Sequence, residues 1–573
     1  MKKYLFIALA ALGFAACAEK LDDNNAPHGG EMEESYIAIN LLSADVDTRA
    51  AEDTYGYEDG TAAERAVKTA YFFFFDENGN PFNVTGAPAT APGGGKNHLS
   101  LTIGETTEKV NPNISDIKAA VLVLSTYKGV YPSQIVAVLN WTPTANTYTL
   151  QDLHAVVENS IGNDTNGYVM SNSVYMDGAG KMVDTAPLTA ANIKTSADDA
   201  KAAPIDIYVE RTAAKVVLTA NGKIAGTANI FDTQKNSTPV VTVGPTSEMD
   251  VYVQLHGWEL YNDYNTSSLL KNIDTSWDSA TLGLTWNDIP YYRSYWAQSQ
   301  AIDPDDEFSW AYVLANQELK GFPTEYGFAI APKDDNYATR STYTYCGENT
   351  NGEDYRTKVI LKGQLMQKNG ENYEPLELAR WYGTEYAGNE SLRTAVANSL
   401  KYTLYSSENR TTYSSIRPED IQCVDGIAGA EAYEVGFQLS NSGEAKTWYQ
   451  YSSADGYVLL GDSGINGDNA VKANAYLATV EPALLYTDGQ TYYYIDIKHL
   501  GATGKTAEYG VVRNHVYQID INSISGYGTP VYVDISNIVT PPDYPIEDEA
   551  SYVAARINVL SWKVVKQGVN VGQ

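Results

Sequence analysis

Few stretches of this 573-residue chain have the residue types and spacings that catalysis or ligand binding demands. Gly461-Asp462-Ser463-Gly464 has the letters of a serine-nucleophile loop, but such a serine needs a histidine placed to take its proton. The histidines at 28, 98, 154, 256, 499 and 515 are scattered, and none stands in a matching context. Gly501-Ala502-Thr503-Gly504-Lys505-Thr506 imitates a phosphate loop with too few residues between its glycines, and it falls between strand-like runs rather than before a helix. It reads as a turn. Asp303-Pro304-Asp305-Asp306-Glu307 offers carboxylates without the spaced ligands and glycine of a calcium loop, so it reads as a solvated acidic loop. His499 and His515 are expected to face sheet neighbours, and no Cys/His spacing points to zinc. The expectation is a protein with no cofactor and no metal, and not an enzyme.

The residues with a clear chemical role lie near the start. MKKYLFIALAALGFAAC places two lysines before an apolar stretch that is too short for a spanning helix, as in a signal peptide. Phe14-Ala15-Ala16-Cys17 resembles a lipoprotein box, in which small residues admit the signal peptidase and the Cys17 thiol takes the lipid. Membrane contact would then rest on that lipid. Arg49, followed by Ala50, sits in an acidic loop, and between Cys17 and Arg49 the only other basic side chain is Lys20. Exposed loops of this kind are where proteolysis concentrates. Cys346 and Cys423 also remain, and both a disulfide and unpaired core thiols stay open for them.

The elements that would position these residues are strands. The 44 tyrosines and short alternating runs such as VYVQLHGWEL and TYYYIDIKHL fit half-buried pleated faces, and all-β is the expected class. AVKTAYFFFFDENGNPF reads as a buried strand closed by an Asn-Gly turn. TLQDLHAVVENSI departs from that period, with Leu150, Leu153, Val157 and Ile161 at helical spacing behind a Thr149…Asp152 capping box. SLRTAVANSLKYTLY offers another helix. The length implies about two to four domains, and the boundary is expected near Pro204. The net charge of −32, with no cluster of Lys and Arg, excludes nucleic acid as a partner.

One pattern recurs at both ends. SYIAINLLS (35–43) and SYVAARINVLS (551–561) agree at seven of nine positions once Ala555 and Arg556 are set aside as an insertion. In a strand Ile37, Ile39 and Leu41 share one face, as do Val553, Ala555, Ile557 and Val559. Inserting two residues preserves that parity. The second copy follows the spacer TPPDYPIEDEA and is expected to lie outside the last domain, in want of a partner sheet.

Taken together, the box at Cys17, Arg49-Ala50, AVKTAYFFFFDENGNPF, QIVAVLN, YVMSNS, IDIYVERTAAKVVL, YYRSYWA, TKVILKGQL, YYYIDIKHL, YGVVRNHVYQIDINSISGYGTP and SYVAARINVLSWKVV resemble the fimbrillins, the pilins of type V pili. The likeness is strongest to the shaft subunit of the minor fimbrium. It implies two tandem transthyretin-like β-sandwich domains with a few short helices and a C-terminal donor strand. The corresponding partition is 1–17 signal peptide, 18–49 propeptide, 50–203 and 204–540 sandwiches, and 541–573 linker and donor.

The resemblance also implies a mechanism. A lipidated precursor reaches the outer membrane, and an Arg-specific protease cuts between Arg49 and Ala50. The strand bearing Tyr36, Ile37, Ile39 and Leu41 leaves, and the segment of a neighbouring subunit bearing Val553, Ala555, Ile557, Val559, Leu560 and Trp562 takes its place. The expected partners are identical subunits head to tail, accessory tip and anchor subunits, the protease, and a host or bacterial surface ligand. The expected setting is an extracellular fimbrium that supports adhesion or biofilm formation. The rival reading is a monomeric surface glycan-binding lipoprotein, for which neither a cleavable first strand nor a tethered last one has a use.

Overall fold

The computed structural model describes residues 32–43, 55–57, 60–85, 95–102, 117–127, 130–158, 161–176, 181–220, 230–232, 241–243, 247–261, 267–273, 298–299, 331–332, 343–353, 355–424, 434–461, 468–499, 508–530, 552–560 and 563–566. Cys17, His28, Arg49, Ala50, Trp562 and residues 303–307, 462–464 and 501–506 lie outside the described residues.

The chain opens with β1 (Met32–Ser43) and a short β2 (Tyr55–Tyr57). There follow β3 (Thr69–Phe75), β4 (His98–Thr102), β5 (Ile117–Tyr127), β6 (Gln134–Leu139), β7 (Met170–Asn172) and β8 (Ile205–Arg211). With β1 they form one hydrogen-bonded path in the order β4-β3-β6-β7-β8-β1-β5. The path doubles over, so that Phe72 and Phe74 of β3 share a core with Ile37, Leu122, Leu124 and Ile207. Phe73 and Phe75 point the other way, into a cluster with Val136, Val138, Leu153 and Leu269. Burial on both faces explains an unbroken aromatic run where a half-exposed strand would alternate. Each such ring contributes about 1.5–3 kcal/mol on burial. The turn after β3 is tied by Asp76 Oδ1, which accepts from the backbone of Asn78 (2.8 Å) and Asn80 (2.9 Å), with Gly79 in the left-handed region at φ +79°.

The capping box at Thr149 and Asp152 forms, but the helix covers only Leu150–Ala155. Val157–Glu158 turns into a strand paired with Ser267–Ser268, so the helical spacing of Val157 and Ile161 with Leu153 is coincidental. Tertiary pairing overrides a local period this short.

The chain passes between sheets at Thr212, since β9 (Ala213–Ala220) follows β8 at once. Pro204, the expected boundary, precedes β8 and therefore falls before the last strand of the first sheet. The second unit adds β10 (Val251–Tyr261), β11 (Tyr343–Gly347), β12 (Lys358–Asn369), β13 (Gln490–Asp496), β14 (Val516–Ser525), β15 (Tyr552–Leu560) and β16 (Lys563–Lys566). One sheet runs β2-β16-β15-β14-β9, with β11 on the far edge of β9. The other is built on β10-β12-β13. Val216, Leu218, Ile519 and Ile521 of the first meet Val253, Leu255, Trp258, Leu361 and Tyr493 of the second, which makes a β-sandwich.

Between β12 and β13 the chain makes an excursion around a core of its own, with Trp381, Leu392, Val396, Phe437, Trp448 and Leu477. It carries the helix expected in SLRTAVANSLKYTLY, at Asn389–Leu400, and a second at Asp468–Leu477. The fold is all-β with few helices.

Candidate functional site

β1 lies inside its sheet rather than at an edge. Its residues Met32 to Leu42 pair antiparallel with Tyr127 to Ile117 of β5, and Ile39 to Ser43 pair in parallel with Ile205 to Val209 of β8. Ile37 is fully buried and Ser35 nearly so. Within this path β5 joins the sheet through β1 alone. Without β1 two strands would face each other with a row of unpaired backbone groups on each, the template for capture of another strand.

The C-terminal copy is placed differently from the expectation. β15 is not outside the last domain but a strand of its second sheet, with Tyr552 to Leu560 running antiparallel to Ser525 to Val516 of β14. A register shift between Ile521 and Ser523 interrupts the ladder. On its other side β15 pairs with β16, which in turn pairs with β2. The physical reason is that β14 offers an edge of its own, and a strand pattern specifies a face and not a partner. Tyr36, Ile37, Ile39 and Leu41 thus stand in the first sheet, and Val553, Ala555, Ile557, Val559 and Leu560 in the second.

Where the two sheets meet lies a group of buried charges that sequence reading passed over. Glu64, in the short helix Ala62–Arg65, receives the Lys215 ammonium of β9 at 2.9 Å on Oε1, where the Tyr345 hydroxyl also donates. The Thr61 backbone N–H donates to Oε2 at 2.7 Å. Burial alone would raise the Glu64 carboxyl; the Lys215 charge, with the hydrogen bonds from Tyr345, Lys215 and Thr61, outweighs it and holds it below the ordinary value. Burial and the Glu64 charge push the Tyr345 hydroxyl up, so it remains a donor. Arg211 of β8 donates to the Glu64 carbonyl (2.7 Å) and to Asn514 Oδ1 (3.1 Å). Two more buried pairs join the same region, Lys271 with Glu210 (2.9 Å) and Arg513 with Glu348 (3.0 Å). Arg513 also donates to the Ser268 carbonyl at 2.8 Å. The available signal was Glu210-Arg211 and Lys215 standing inside apolar strand runs, where charges are rarely buried unless paired.

Breaking one partner leaves the other charge buried, at a cost of about 3–5 kcal/mol. Glu64→Gln is therefore expected to lower the urea midpoint of the transition that reports this junction. The pH dependence has a defined sign. Because the folded Glu64 value is depressed, its contribution is complete above about 4.5 and is lost as pH falls through the folded value. The variant should lack that acid-side loss, which a urea series between pH 7 and 3 would detect.

Cys346 and Cys423 are not joined in a disulfide, and the Cys423 thiol donates to Asn389 Oδ1 at 3.2 Å. Burial pushes Cys423 up to about 12, which makes it unreactive at neutral pH. His515 Nδ1 lies 2.8 Å from the carbonyl of Arg513 in the turn just before it, and His499 Nδ1 lies 3.0 Å from the hydroxyl of Tyr517 in β14. Among the described residues no group of three or more His, Cys, Asp or Glu could hold a metal ion.

One family model and several solved structures are similar to the chain. Residues 484–568 match the family described as major fimbrial subunit protein type IV, fimbrillin, C-terminal. No curated protein matches the chain. Among solved structures, a fimbrilin from Porphyromonas gingivalis is similar at 11% identity, covering 91% of this chain and 96% of that one, with a TM-score of 0.35. A fimbrial assembly protein from Parabacteroides distasonis is similar at 11% identity, covering 73% and 100%, with a TM-score of 0.28. A tip fimbrial protein from Porphyromonas gingivalis, truncated at its C-terminus, is similar at 10% identity, covering 85% and 95%, with a TM-score of 0.22. Superpositions this loose carry no functional weight, and the matched segment runs from the last strand of the excursion, Ala483–Tyr486, through β13, β14, β15 and β16. That segment, and not the rest of the chain, is similar to the C-terminal part of the fimbrillins.

Proposed function

We propose that the chain is a subunit of a cell-surface fimbrium that polymerises by strand exchange. In this reading the precursor is held at the outer membrane by lipid on Cys17 and is cut between Arg49 and Ala50 by an Arg-specific protease. β1 then leaves the gap between β5 and β8. The 552–560 strand of the next subunit fills it, in parallel with β8 and antiparallel to β5, and its continuation through Leu560 and Trp562 extends the contact. Because the donor and the gap are on different parts of the molecule, the contact is head to tail and generates an open filament rather than a closed ring. Assembly of this kind is strand addition, with backbone pairing for affinity and alternate side chains for specificity. Tip and anchor subunits would share the same joint, and the finished fimbrium would support adhesion or biofilm formation.

The observation that carries the reading is the interior position of β1, whose sequence the chain writes again at 551–561. The fimbrillin C-terminal match, residues 484–568, includes that second copy. The storage of β15 on β14 adds one step: the donor has to leave its own sheet before it can serve the next subunit.

The direct test is electron microscopy of cells producing the chain with and without residues 546–573. The truncated protein is expected to be exported and trimmed at Arg49 yet to form no fibres. Fibres of normal length from the truncated chain would end the proposal.

A further inference from the structure

The excursion between β12 and β13 contains a small four-stranded sheet made by Leu404–Ser406, Ser414–Ser415, Trp448–Ser452 and Gly456–Leu459. Its inner face puts Leu404 and Trp448 into the excursion's core. On the outer face the register sets Tyr405 opposite Tyr449, and Tyr451 opposite Tyr457. Residues opposite one another, and residues two apart, project to the same side, so these four rings share one face. Tyr413 completes the array by stacking on Tyr457, with ring centroids 3.8 Å apart and planes within 5°. It also meets Tyr449 edge-on at 5.1 Å. Tyr457 lies 5.0 Å from Tyr405 and 5.0 Å from Tyr451. The Tyr413 hydroxyl donates to the Arg410 carbonyl at 3.0 Å, which fixes its ring.

Packing of this kind normally hides its rings, yet Tyr451 is 42% exposed and Tyr457 39%. Beneath them Tyr449 is 4% exposed, and its hydroxyl has no hydrogen-bond partner among the described residues. At about 200 Å² per tyrosine side chain, the two outer rings offer roughly 150 Å². A stable protein interface needs about 800 Å² per partner, which this face does not supply. Centroid spacings of 5.0 to 6.0 Å between Tyr405, Tyr451 and Tyr457 are comparable to the length of one pyranose residue in a glycan chain. Rigid tyrosines provide amphipathic contact at low entropic cost: a face for the C–H side of a sugar and a hydroxyl for its polar rim.

We propose that this tyrosine-paved face binds neutral carbohydrate. Charge selects the class. The chain carries a net charge of −32, and in the turns that end these strands exposed Arg410 offsets Glu408 while exposed Asp455 stands without a cation beside it in its turn, so the acidic surface as a whole disfavours sulfated and sialylated glycans while neutral sugar hydroxyls find acceptors. The binding deepens the surface role proposed above by naming a ligand class, but it is independent of strand exchange.

The test uses the full chain without its signal peptide, in calorimetric titrations with cellotetraose, chitotetraose and mannotetraose, and with sialyllactose as the anionic probe. At least one neutral tetrasaccharide is expected to bind, and the double variant Tyr451→Ala/Tyr457→Ala to weaken it at least ten-fold. Tyr382→Ala, at an exposed tyrosine elsewhere on the excursion, should leave binding unchanged. Circular dichroism of the double variant keeps a folding defect separate, and Tyr451→Phe, which retains the ring, should preserve at least a third of the affinity. Binding of sialyllactose alone, absence of all three neutral interactions, or equal binding by the double variant would overturn the proposal. Fibre formation by the double variant is expected to be normal, so loss of sugar binding and loss of assembly are read separately.

Discussion

Arg49→Ala is expected to abolish fibres and leave full-length, lipid-anchored chains at the outer membrane. The argument is one of competition for a single place. In the uncut chain β1 holds eleven register positions against β5 and five against β8. Ile37 adds a fully buried side chain, worth about 1.5–3 kcal/mol. A tethered strand competes at an effective concentration in the millimolar range or above, which free subunits on a cell surface do not approach. Under the proposed mechanism, cutting at Arg49 would turn β1 into a separate peptide that is lost by dilution once it dissociates, and the balance would pass to the C-terminal strand of the next subunit. Fibre-associated protein should fall by more than ten-fold, as read by sedimentation and immunoblotting. Arg49→Lys separates cleavage from charge. It should be uncut and unassembled in the cell, and assembly should recover when purified chains are treated with a Lys-specific protease under conditions that cut there. Normal fibres from Arg49→Ala would show that β1 need not be released.

What could be read in advance follows from how local each signal is. The Phe72–Phe75 run carries its own explanation, since only a strand buried on both sides tolerates it, and the structure places it so. The Thr149/Asp152 capping box is equally local and forms as written, while the helix behind it stops at Ala155 because Val157 finds a strand partner far away in sequence. The fate of the 551–561 copy was not local. Alternation says which side chains share a face, but β14 and the gap beside β5 are both adequate partners, and choosing between them needs the whole topology. The same limit applies to Glu64. Thr61 three residues before it marks a helix start, yet its ionic partner Lys215 is 151 residues away. Pro204 stands directly before β8, at a strand's beginning, where a proline is tolerated. Cys346 and Cys423 stayed open for lack of any spacing rule, and their places in different cores decide against a disulfide between them.

The storage of the donor on β14 leads to the second large effect. Gln518 of β14 stands opposite Asn558 of β15. Opposed residues of antiparallel strands have Cα separations of roughly 4.5–5.5 Å, within the span a disulfide can bridge. The double variant Gln518→Cys/Asn558→Cys is therefore expected to lock the donor to its own sheet when oxidised. If exchange requires the strand to peel away, oxidised and trimmed chains will remain monomeric, with fibre yield down at least ten-fold, and reductant will restore assembly in the same sample. Each single variant controls for the substitutions, since Gln518 is buried and its amide donates to Asp520 at 3.3 Å. Peeling is plausible energetically because the ladder is already broken between Ile521 and Ser523 and because the gap beside β5 offers backbone pairing on two sides at once. In the proposed exchange the strand would trade one set of backbone partners for another at little net cost, while the receiving sheet would regain the strand that rejoins β5 to β8. Oxidised chains that polymerise as well as reduced ones would mean that β15 serves the next subunit without leaving home, and the exchange would have to run through the segment beyond Leu560 instead.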